Sequence, residues 1–164
     1  MILCETTIHS PMAPTRAFDY LVDMGKSDEW HPLILEACLL DGHAGLRGAT
    51  YELLSSFGPL RLRTLIEVVE VARPERFVYI ATTRLHRSRH EISFAPRAGG
   101  VEVRTESAFS AIGAITPALP LFRAYLTRTC NRSAASLHAT LGSQLQPGPT
   151  WIPGGTRQAR PSSS

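Results

Sequence analysis

The sequence predicts an α+β domain in which one antiparallel sheet packs against a long C-terminal helix. Between residues 33 and 110, six segments of strand composition follow one another through short turns rich in Gly and Pro. Short connections join antiparallel neighbours, because parallel strands need a longer crossover. Between Thr116 and Leu145 the apolar residues instead recur every three or four positions, as on one face of a helix. Such a helix needs an apolar surface to cover, and the sheet can supply it.

Length and composition indicate one ordinary globular domain. With 164 residues, of which 43% are hydrophobic, the chain can bury a substantial core. No apolar run approaches the roughly 20 residues of a membrane span, and the N-terminus lacks the features of a signal peptide. The cysteines, Cys4, Cys38 and Cys130, are odd in number and widely spaced, so they suit neither a disulfide framework nor a metal site. We therefore expect a reduced, cytoplasmic protein.

The first elements are a strand and one or two short helices. Residues 2–9 have strand composition, and the following Ser10-Pro11 sequence ends the strand. A short amphipathic helix then begins at Pro14, and residues 23–32 form a polar turn or a second short helix. The six later strands are predicted at residues 33–41, 49–57, 60–71, 76–84, 86–95 and 101–110.

The long helix has an uncertain start and a clear end. It begins either at Thr116, with Pro117 in the first turn, or near Leu119. It ends at about Leu145, because the Pro- and Gly-rich sequence that follows cannot continue a helix. We therefore predict a folded domain over residues 1–145 and a disordered tail, rich in Pro, Gly and Ser, over residues 146–164.

Charge is distributed unevenly along the chain. The formal net charge is +3, yet residues 107–164 contain five arginines and no acidic residue. No cluster of Lys or Arg is interleaved with aromatic residues, so we expect no nucleic-acid partner. Arg123, Arg128 and Arg132 lie on the polar face of the long helix. This face is either simply solvated or makes peripheral contact with an anionic partner or membrane surface, and no oligomeric state is predicted.

Side-chain alternation assigns one apolar and one charged face to the sheet. The positions predicted to face inward are Cys4, Thr6 and Ile8 in the first strand, Leu62, Thr64, Ile66 and Val68 in residues 60–71, His90, Ile92 and Phe94 in residues 86–95, and Val101, Val103, Thr105, Ser107 and Phe109 in the last strand. By the same alternation Arg63 faces solvent. The strand around Tyr79 is apolar on both faces, so its register stays open.

Several local sequences, in their order and spacing, are similar to those of a known family. They are Ile8-His9-Ser10-Pro11, Ala17-Phe18-Asp19-Tyr20-Leu21, Trp30-His31-Pro32, Gly45-Leu46-Arg47-Gly48-Ala49-Thr50-Tyr51, Glu67-Val68-Val69-Glu70, Arg73-Pro74-Glu75-Arg76-Phe77, Ile92-Ser93-Phe94-Ala95-Pro96 and Gly99-Gly100-Val101-Glu102-Val103. Over residues 2–145 the chain resembles the START-like (SRPBCC) superfamily, and within it the polyketide cyclase/dehydrase group. The resemblance implies the helix-grip fold, in which a curved seven-stranded antiparallel sheet wraps around the C-terminal helix and leaves an internal hydrophobic cavity.

A cavity between an apolar sheet face and a helix is expected to bind a hydrophobic molecule that a few polar groups orient. The candidate ligand-binding residues are Trp30, Tyr51, Thr64, Ile66, Tyr79, His90, Ile92, Thr105, Ser107, Phe122 and Leu126. The leading expectation is that the protein binds a lipid- or polyketide-like hydrophobic or aromatic small molecule for carriage or sequestration.

The alternative is an aromatase/cyclase or dehydratase, and the sequence leaves open whether the protein is an enzyme. In that case His90 would abstract a proton next to a ketone, and Tyr51 or Tyr79 would donate to the enolate. The favoured interpretation of His90 itself is a core or cavity-wall histidine that is hydrogen-bonded to Ser107 or Thr105. The chain lacks phosphate-binding, dinucleotide-binding and hydrolase motifs, and its histidines lack the spacing of metal ligands. We therefore expect neither a cofactor nor a metal.

Overall fold

The computed structural model describes residues 2–57, 59–112, 128, 131–132 and 135–142. Several predictions fall outside these residues. They are Phe122 and Leu126 in the candidate site, Arg123 on the polar helix face, both ends of the long helix and the tail over residues 146–164.

Seven strands form one curved antiparallel sheet. They are β1 (Ile2–Ser10), β2 (Ile34–Asp41), β3 (Thr50–Phe57), β4 (Leu60–Ala72), β5 (Arg76–Thr82), β6 (His86–Arg97) and β7 (Gly100–Ala111). Their order across the sheet is β1-β7-β6-β5-β4-β3-β2, so strands β2 to β7 form a meander and β1 pairs with the last strand. The predicted seven-stranded antiparallel sheet is confirmed.

Two short helices carry the chain from one edge of the sheet to the other. Helix α1 (Pro14–Val22) has a proline in its first turn, where a missing backbone N–H is tolerated. A single 3-10 turn (Met24–Lys26) and helix α2 (Ser27–Trp30) follow before β2 begins. The buried side of α1 consists of Ala17, Phe18, Leu21 and Val22, the apolar face expected from the sequence.

The C-terminal helix, α3, is described at residues 128, 131–132 and 135–142. Leu137 and Leu141 are buried, whereas Arg128 and Arg132 are exposed. At these positions the predicted division into an apolar and a polar face is confirmed. No described helix is long and apolar enough to cross a membrane.

The inner face of the sheet has two ends with different environments. At one end α1 covers the strands, and Phe18 packs edge-on against Phe94 of β6 with ring centroids 5.1 Å apart. The core residues at this end are almost fully buried, and they include Tyr51, Val68, Phe77, Val101 and Val103. Burial of such side chains contributes roughly 1.5–3 kcal/mol each. At the other end the inner face borders a cavity.

The outer face of the sheet carries ion pairs, as the alternation predicts. Arg104 contacts both Glu5 and Glu106 at 3.0 Å, and these two glutamates are direct neighbours on β1 and β7. Arg63 lies on this face, 75% exposed, and contacts Glu52 at 2.6 Å. Arg63 therefore faces solvent rather than the cavity, in agreement with the sequence.

Strand β6 extends past its predicted end. Strand β6 runs through Pro96 to Arg97, where the sequence predicted that the turn had already begun. Pairing of β6 with β5 ends at Ser93, so Pro96 has a strand neighbour only in β7. Proline has no backbone N–H to donate. It is tolerated at this position because no strand pairs with Pro96 on the side of β5.

Candidate functional site

The cavity encloses about 200 Å³ between the inner sheet face and the described part of α3. It is lined by Cys4, Thr6, Met24, Trp30, His31, Leu33, Ile34, Leu53, Ser55, Ser56, Leu62, Thr64, Ile66, Tyr79, Ala81, Thr83, His86, Ser88, His90, Ile92, Thr105, Ser107, Phe109 and Leu137. A single water needs only roughly 10–15 Å³ on the same measure. The space therefore suits an organic molecule.

A row of directly paired residues crosses the middle of the cavity wall. Cys4 on β1 is opposite Ser107 on β7, Ser107 is opposite His90 on β6, and His90 is opposite Tyr79 on β5. Direct cross-strand partners have Cβ atoms only about 5 Å apart, so their side chains interact. The pairing also fixes the register of β5, which the sequence left open: Tyr79 faces inward.

His90 is hydrogen-bonded through both ring nitrogens. Its Nδ1 lies 2.8 Å from Ser107 Oγ, and its Nε2 lies 2.8 Å from Ser88 Oγ. The ring stacks on Tyr79 with centroids 4.7 Å apart and an interplanar angle of 14°. Phe109 packs edge-on against it at 5.5 Å. These contacts hold the imidazole in one orientation at the cavity wall.

The His90 side chain is uncharged at neutral pH. The pKa of His90 is lowered from 6.5 to about 3, chiefly by desolvation in the surrounding protein and then by the nearby His31 and His86. Desolvation favours the neutral form of an imidazole. His90 is therefore a hydrogen-bonding group rather than a cation.

The cavity is also lined by two histidines that the sequence analysis did not select, His31 and His86. Burial lowers the pKa of His31 from 6.5 to about 4, and burial also lowers the pKa of His86. His86 Nδ1 lies 3.1 Å from Thr83 Oγ1, in the turn before β6. His86 and Ser88 continue the alternation of His90 toward the start of the strand, so extension of that pattern would have identified both. His31 follows α2 in a loop and carries no such signal.

Trp30 lies at the end of α2, and it borders both the packed core and the cavity. Its side chain is only 5% exposed and belongs to the hydrophobic core. Its ring packs against that of His31 with centroids 5.9 Å apart. Its indole Nε1 is buried, with no hydrogen-bond partner among the described residues. The sequence offered packing or closure of the cavity as roles for Trp30, and the structure places it where it can serve both.

Tyr51 differs from the sequence expectation. Its side chain faces inward, but it lies in the packed end of the sheet and is not among the residues that line the cavity. Its hydroxyl oxygen accepts a hydrogen bond from the Gly45 backbone N–H at 2.9 Å. Burial also raises the pKa of Tyr51. Tyr51 thus supports the loop before β3, and the structure does not bring it together with His90.

The remaining candidates within the described residues lie on the cavity wall. They are Trp30, Thr64, Ile66, Tyr79, His90, Ile92, Thr105 and Ser107. His90 is bonded to Ser107, one of the two partners that the sequence considered, and Thr105 lies two residues before Ser107 on the same face of β7. Phe122 and Leu126 lie outside the described residues.

The described wall of the cavity contains no charged side chain. None of its lining residues is Asp, Glu, Lys or Arg, and its three histidines have lowered pKa values. Within the described ranges, no group of three His, Cys, Asp or Glu side chains is arranged to hold a metal ion. The wall combines apolar surface with a few neutral donors and acceptors, an arrangement typical of sites for small organic ligands.

Comparison with known structures shows the same fold in proteins of low sequence identity. A START superfamily protein from Mycobacterium smegmatis matches with a TM-score of 0.73 at 12% identity, over 88% of this chain and 99% of that chain. A protein from Thermus thermophilus matches with a TM-score of 0.74 at 12% identity, over 88% and 100%. An aromatase/cyclase from a Streptomyces species matches with a TM-score of 0.72 at 13% identity, over 85% and 93%. At these identities the matches show the fold alone: the predicted helix-grip architecture is confirmed.

No curated protein matches the sequence at a significant level. A family model does match: residues 1–142 fit the model described as polyketide cyclase/dehydrase and lipid transport. That match spans most of the chain and includes every strand that borders the cavity. The fold is thus one that binds hydrophobic ligands, and the chain belongs to the polyketide cyclase/dehydrase and lipid transport family of the START-like superfamily.

Proposed function

We propose that the protein binds a hydrophobic or aromatic small molecule in its internal cavity and carries or sequesters it without changing it chemically. The observation that carries this proposal is the uncharged, largely apolar wall of the cavity in the described residues. Transfer of apolar surface from water into such a space is favourable by roughly 25 cal/mol per Å². The few polar groups on the wall then orient the ligand.

The geometry around His90 supports binding over the cyclase alternative. A general base works best when its pKa lies near the operating pH. The pKa of His90 is about 3, and both of its ring nitrogens already have serine partners. Tyr51, the other catalytic candidate, donates nothing to the cavity because it lies outside the wall. Tyr79 stacks on His90, but the cyclase reaction would also need a general base, for which His90 is poorly suited.

The test of carriage is native mass spectrometry of the full chain, purified gently from its own host. We expect a retained apolar molecule that is recovered unchanged after prolonged incubation with the protein. Conversion of that molecule into a product by the wild type, with loss of conversion in His90→Ala, would overturn carriage and establish the cyclase or dehydratase reading. An empty protein that also fails to take up apolar probes would overturn ligand binding itself.

A pair of variants tests whether the cavity is the binding site. Ala81 lines the cavity and is 5% exposed, so Ala81→Leu places three extra carbons in the ligand space. Ala95 lies on the outer face of β6, adjacent to the inward-facing Phe94, and Ala95→Leu is the matched control. Ala81→Leu should reduce uptake of an apolar fluorescent probe at least about tenfold, whereas the control should leave it unchanged. Equal affinity in both variants would place the ligand elsewhere.

The proposal also includes a cytoplasmic location. Cys4 and Cys38 are free thiols, and reducing compartments keep thiols in that state. Fractionation of the host cell, with detection of the chain by antibody, checks this point. Recovery of the protein outside the cell with an oxidised Cys4 would contradict it.

A further inference from the structure

Strand β2 lies at one edge of the sheet, and one of its two sides has no backbone partner in the described part of the chain. It pairs with β3 alone, and the backbone hydrogen bonds of the described turns and loops involve none of residues 35–41. From Cys38 to Asp41 every residue is exposed. The backbone N–H and C=O groups on this side are therefore available to another extended chain.

Large apolar side chains accompany this free edge. Leu35, Leu39 and Leu40 are 40%, 41% and 55% exposed. Natural sheets usually protect a free edge with Lys, Pro or other polar features, because an unprotected edge pairs with other strands. Strand β2 contains no Lys, Arg or Pro, whereas the exposed positions of β1, at the opposite edge, include Glu5 and His9. The free edge of β2 thus has the composition of a strand that another strand covers.

A second copy of β2 fits this edge because the strand is self-complementary. In a two-fold pairing of antiparallel strands, the inner face of one sheet continues into the inner face of the other, so each residue opposes one that points to the same face. The ladder of β2 with β3 is regular from Glu36 to Leu39, which leaves a regular segment for a second pairing. Within it Ala37 is opposite Leu53 of β3, a cavity residue, and therefore points inward.

Charge and apolarity select the register of this pairing. An axis at Ala37 places Leu35 of each copy beside Leu39 of the other, so leucine meets leucine on both sides of the axis. It also places Glu36 opposite Cys38 on the outer face, and no acidic residue of the strand opposes another. An axis at Cys38 would instead set the Glu36 carboxylate against a leucine, at a cost in hydration.

We propose that two copies of the chain form a two-fold symmetric dimer in which β2 pairs antiparallel with β2 of the second copy about Ala37. The two seven-stranded sheets then form one continuous sheet. An eight-residue strand is about 27 Å long, and pairing along it buries on the order of 800–1,000 Å² in total, at the low end of specific interfaces. The dimer is therefore reversible, with a dissociation constant of roughly 1–100 μM.

Sedimentation velocity of the full chain between about 1 and 500 μM tests the dimer. We expect the mean mass to rise toward that of two chains as the concentration increases. Leu35→Lys places a charge beside Leu39 of the second copy and should weaken association at least about tenfold. The control Leu65→Lys changes a leucine that is 50% exposed on the outer face of β4, away from either edge, and should leave association unchanged. A monomer throughout this range, or equal weakening by both variants, would overturn the proposal.

Disulfide cross-linking tests the register. In the Cys38→Ser background, Ala37→Cys places a cysteine at the axis, where direct partners have Cβ atoms about 4.5–5.5 Å apart. The exposed thiol of Cys38 in the wild type reaches its copy only across a diagonal of about 7–8 Å, which is too far for an unstrained disulfide. Mild oxidation should therefore link the Ala37→Cys variant at least about tenfold faster than the wild type, and Cys38→Ser alone should not link. Faster linkage of the wild type would overturn the axis at Ala37.

The dimer and the ligand cavity can be tested separately. Leu35 is not among the residues that line the cavity, so Leu35→Lys should keep the affinity for an apolar probe within about twofold of wild type. Loss of the dimer with intact probe binding would support the pairing of β2 and leave the proposed function untouched. A monomeric wild type in which a maleimide fails to modify Cys38 would mean that another part of the chain covers β2, and self-pairing would be overturned.

Discussion

Tyr51 gives the sharpest test of how the inner face of the sheet divides into a packed end and an end that borders the cavity. The variant Tyr51→Phe removes only the hydroxyl oxygen, which accepts a hydrogen bond from Gly45 N–H at 2.9 Å. Gly45 is itself buried and adopts a φ of +72°, so its amide cannot turn easily to another acceptor. The variant therefore leaves a buried amide without a partner.

The cost follows from the burial of this amide. A buried donor that loses its acceptor destabilises a protein by about 1–3 kcal/mol. In a domain of this size, 1 kcal/mol lowers the melting temperature by about 2–4 °C. We therefore expect the free energy of unfolding in urea to fall by about 1–3 kcal/mol, with a fall in melting temperature of several degrees. Ligand-probe affinity should remain within about twofold of wild type, because Tyr51 lies away from the cavity wall.

The control is Tyr20→Phe. This variant also removes one tyrosine hydroxyl, which donates to Glu29 at 2.8 Å at an exposed position. Water can replace that contact, so its loss should cost less than about 1 kcal/mol. The reasoning would be refuted if Tyr51→Phe retained full stability but lost affinity for the probe. Tyr51 would then belong to the ligand site, as the sequence expected.

Three further predictions concern pH, backbone packing and the polar face of α3. The pKa values of His31 and His90 are lowered in the folded chain, to about 4 and about 3, so the unfolded chain binds more protons below pH 6.5. Stability should therefore be fully present above pH 6.5 and fall by about 3–4 kcal/mol per histidine toward pH 3. Urea unfolding across this range should show a smaller loss in His90→Gln, and an equal loss would contradict the assignment. At Gly100 a Cβ atom would collide with the Ser10 carbonyl oxygen, whereas at Gly99 nothing lies within 4 Å of such an atom. Gly100→Ala should thus lower the free energy of unfolding by at least about 2 kcal/mol more than Gly99→Ala does. Similar melting temperatures of the two variants would refute this prediction. Arg128 and Arg132 are exposed on α3 without an ion-pair partner among the described residues. If this polar face contacts membranes, replacement of both arginines by Gln should abolish co-sedimentation with anionic vesicles and leave the binding of the apolar probe unchanged. Equal co-sedimentation of the variant and the wild type would contradict membrane contact.

The alternation of side chains identified most of the cavity wall because alternation is a local property of a strand. Thr64 and Ile66 on β4, and His90 and Ile92 on β6, follow from the period of two alone. The same rule could not place Tyr79, because its strand is apolar on both faces. Its direct pairing with His90 settled the register, and that pairing depends on the neighbouring strand.

Tyr51 and His31 show where sequence reasoning stops. Tyr51 points to the inner face of the sheet like a cavity residue, but α1 and the loop before β3 cover its end of the sheet. The position of a helix along a strand is a tertiary property, and the alternation carries no information about it. His31 lines the cavity from a loop, where no periodic signal exists. Which half of each strand borders the cavity therefore follows only from the packing of α1 and α2.

The division of the inner sheet face has a consequence for how such a protein can change over evolutionary time. The side chains of the packed core, such as Phe77, Phe94 and Val103, occupy one half of the strands. Those that border the cavity, such as Ser88 and Thr105, occupy the other half of the same strands. Substitutions at the cavity end alter few of the contacts that stabilise the packed end. Selection can thus retune ligand preference repeatedly while one scaffold persists, so relatives of this chain can share its architecture and bind different molecules.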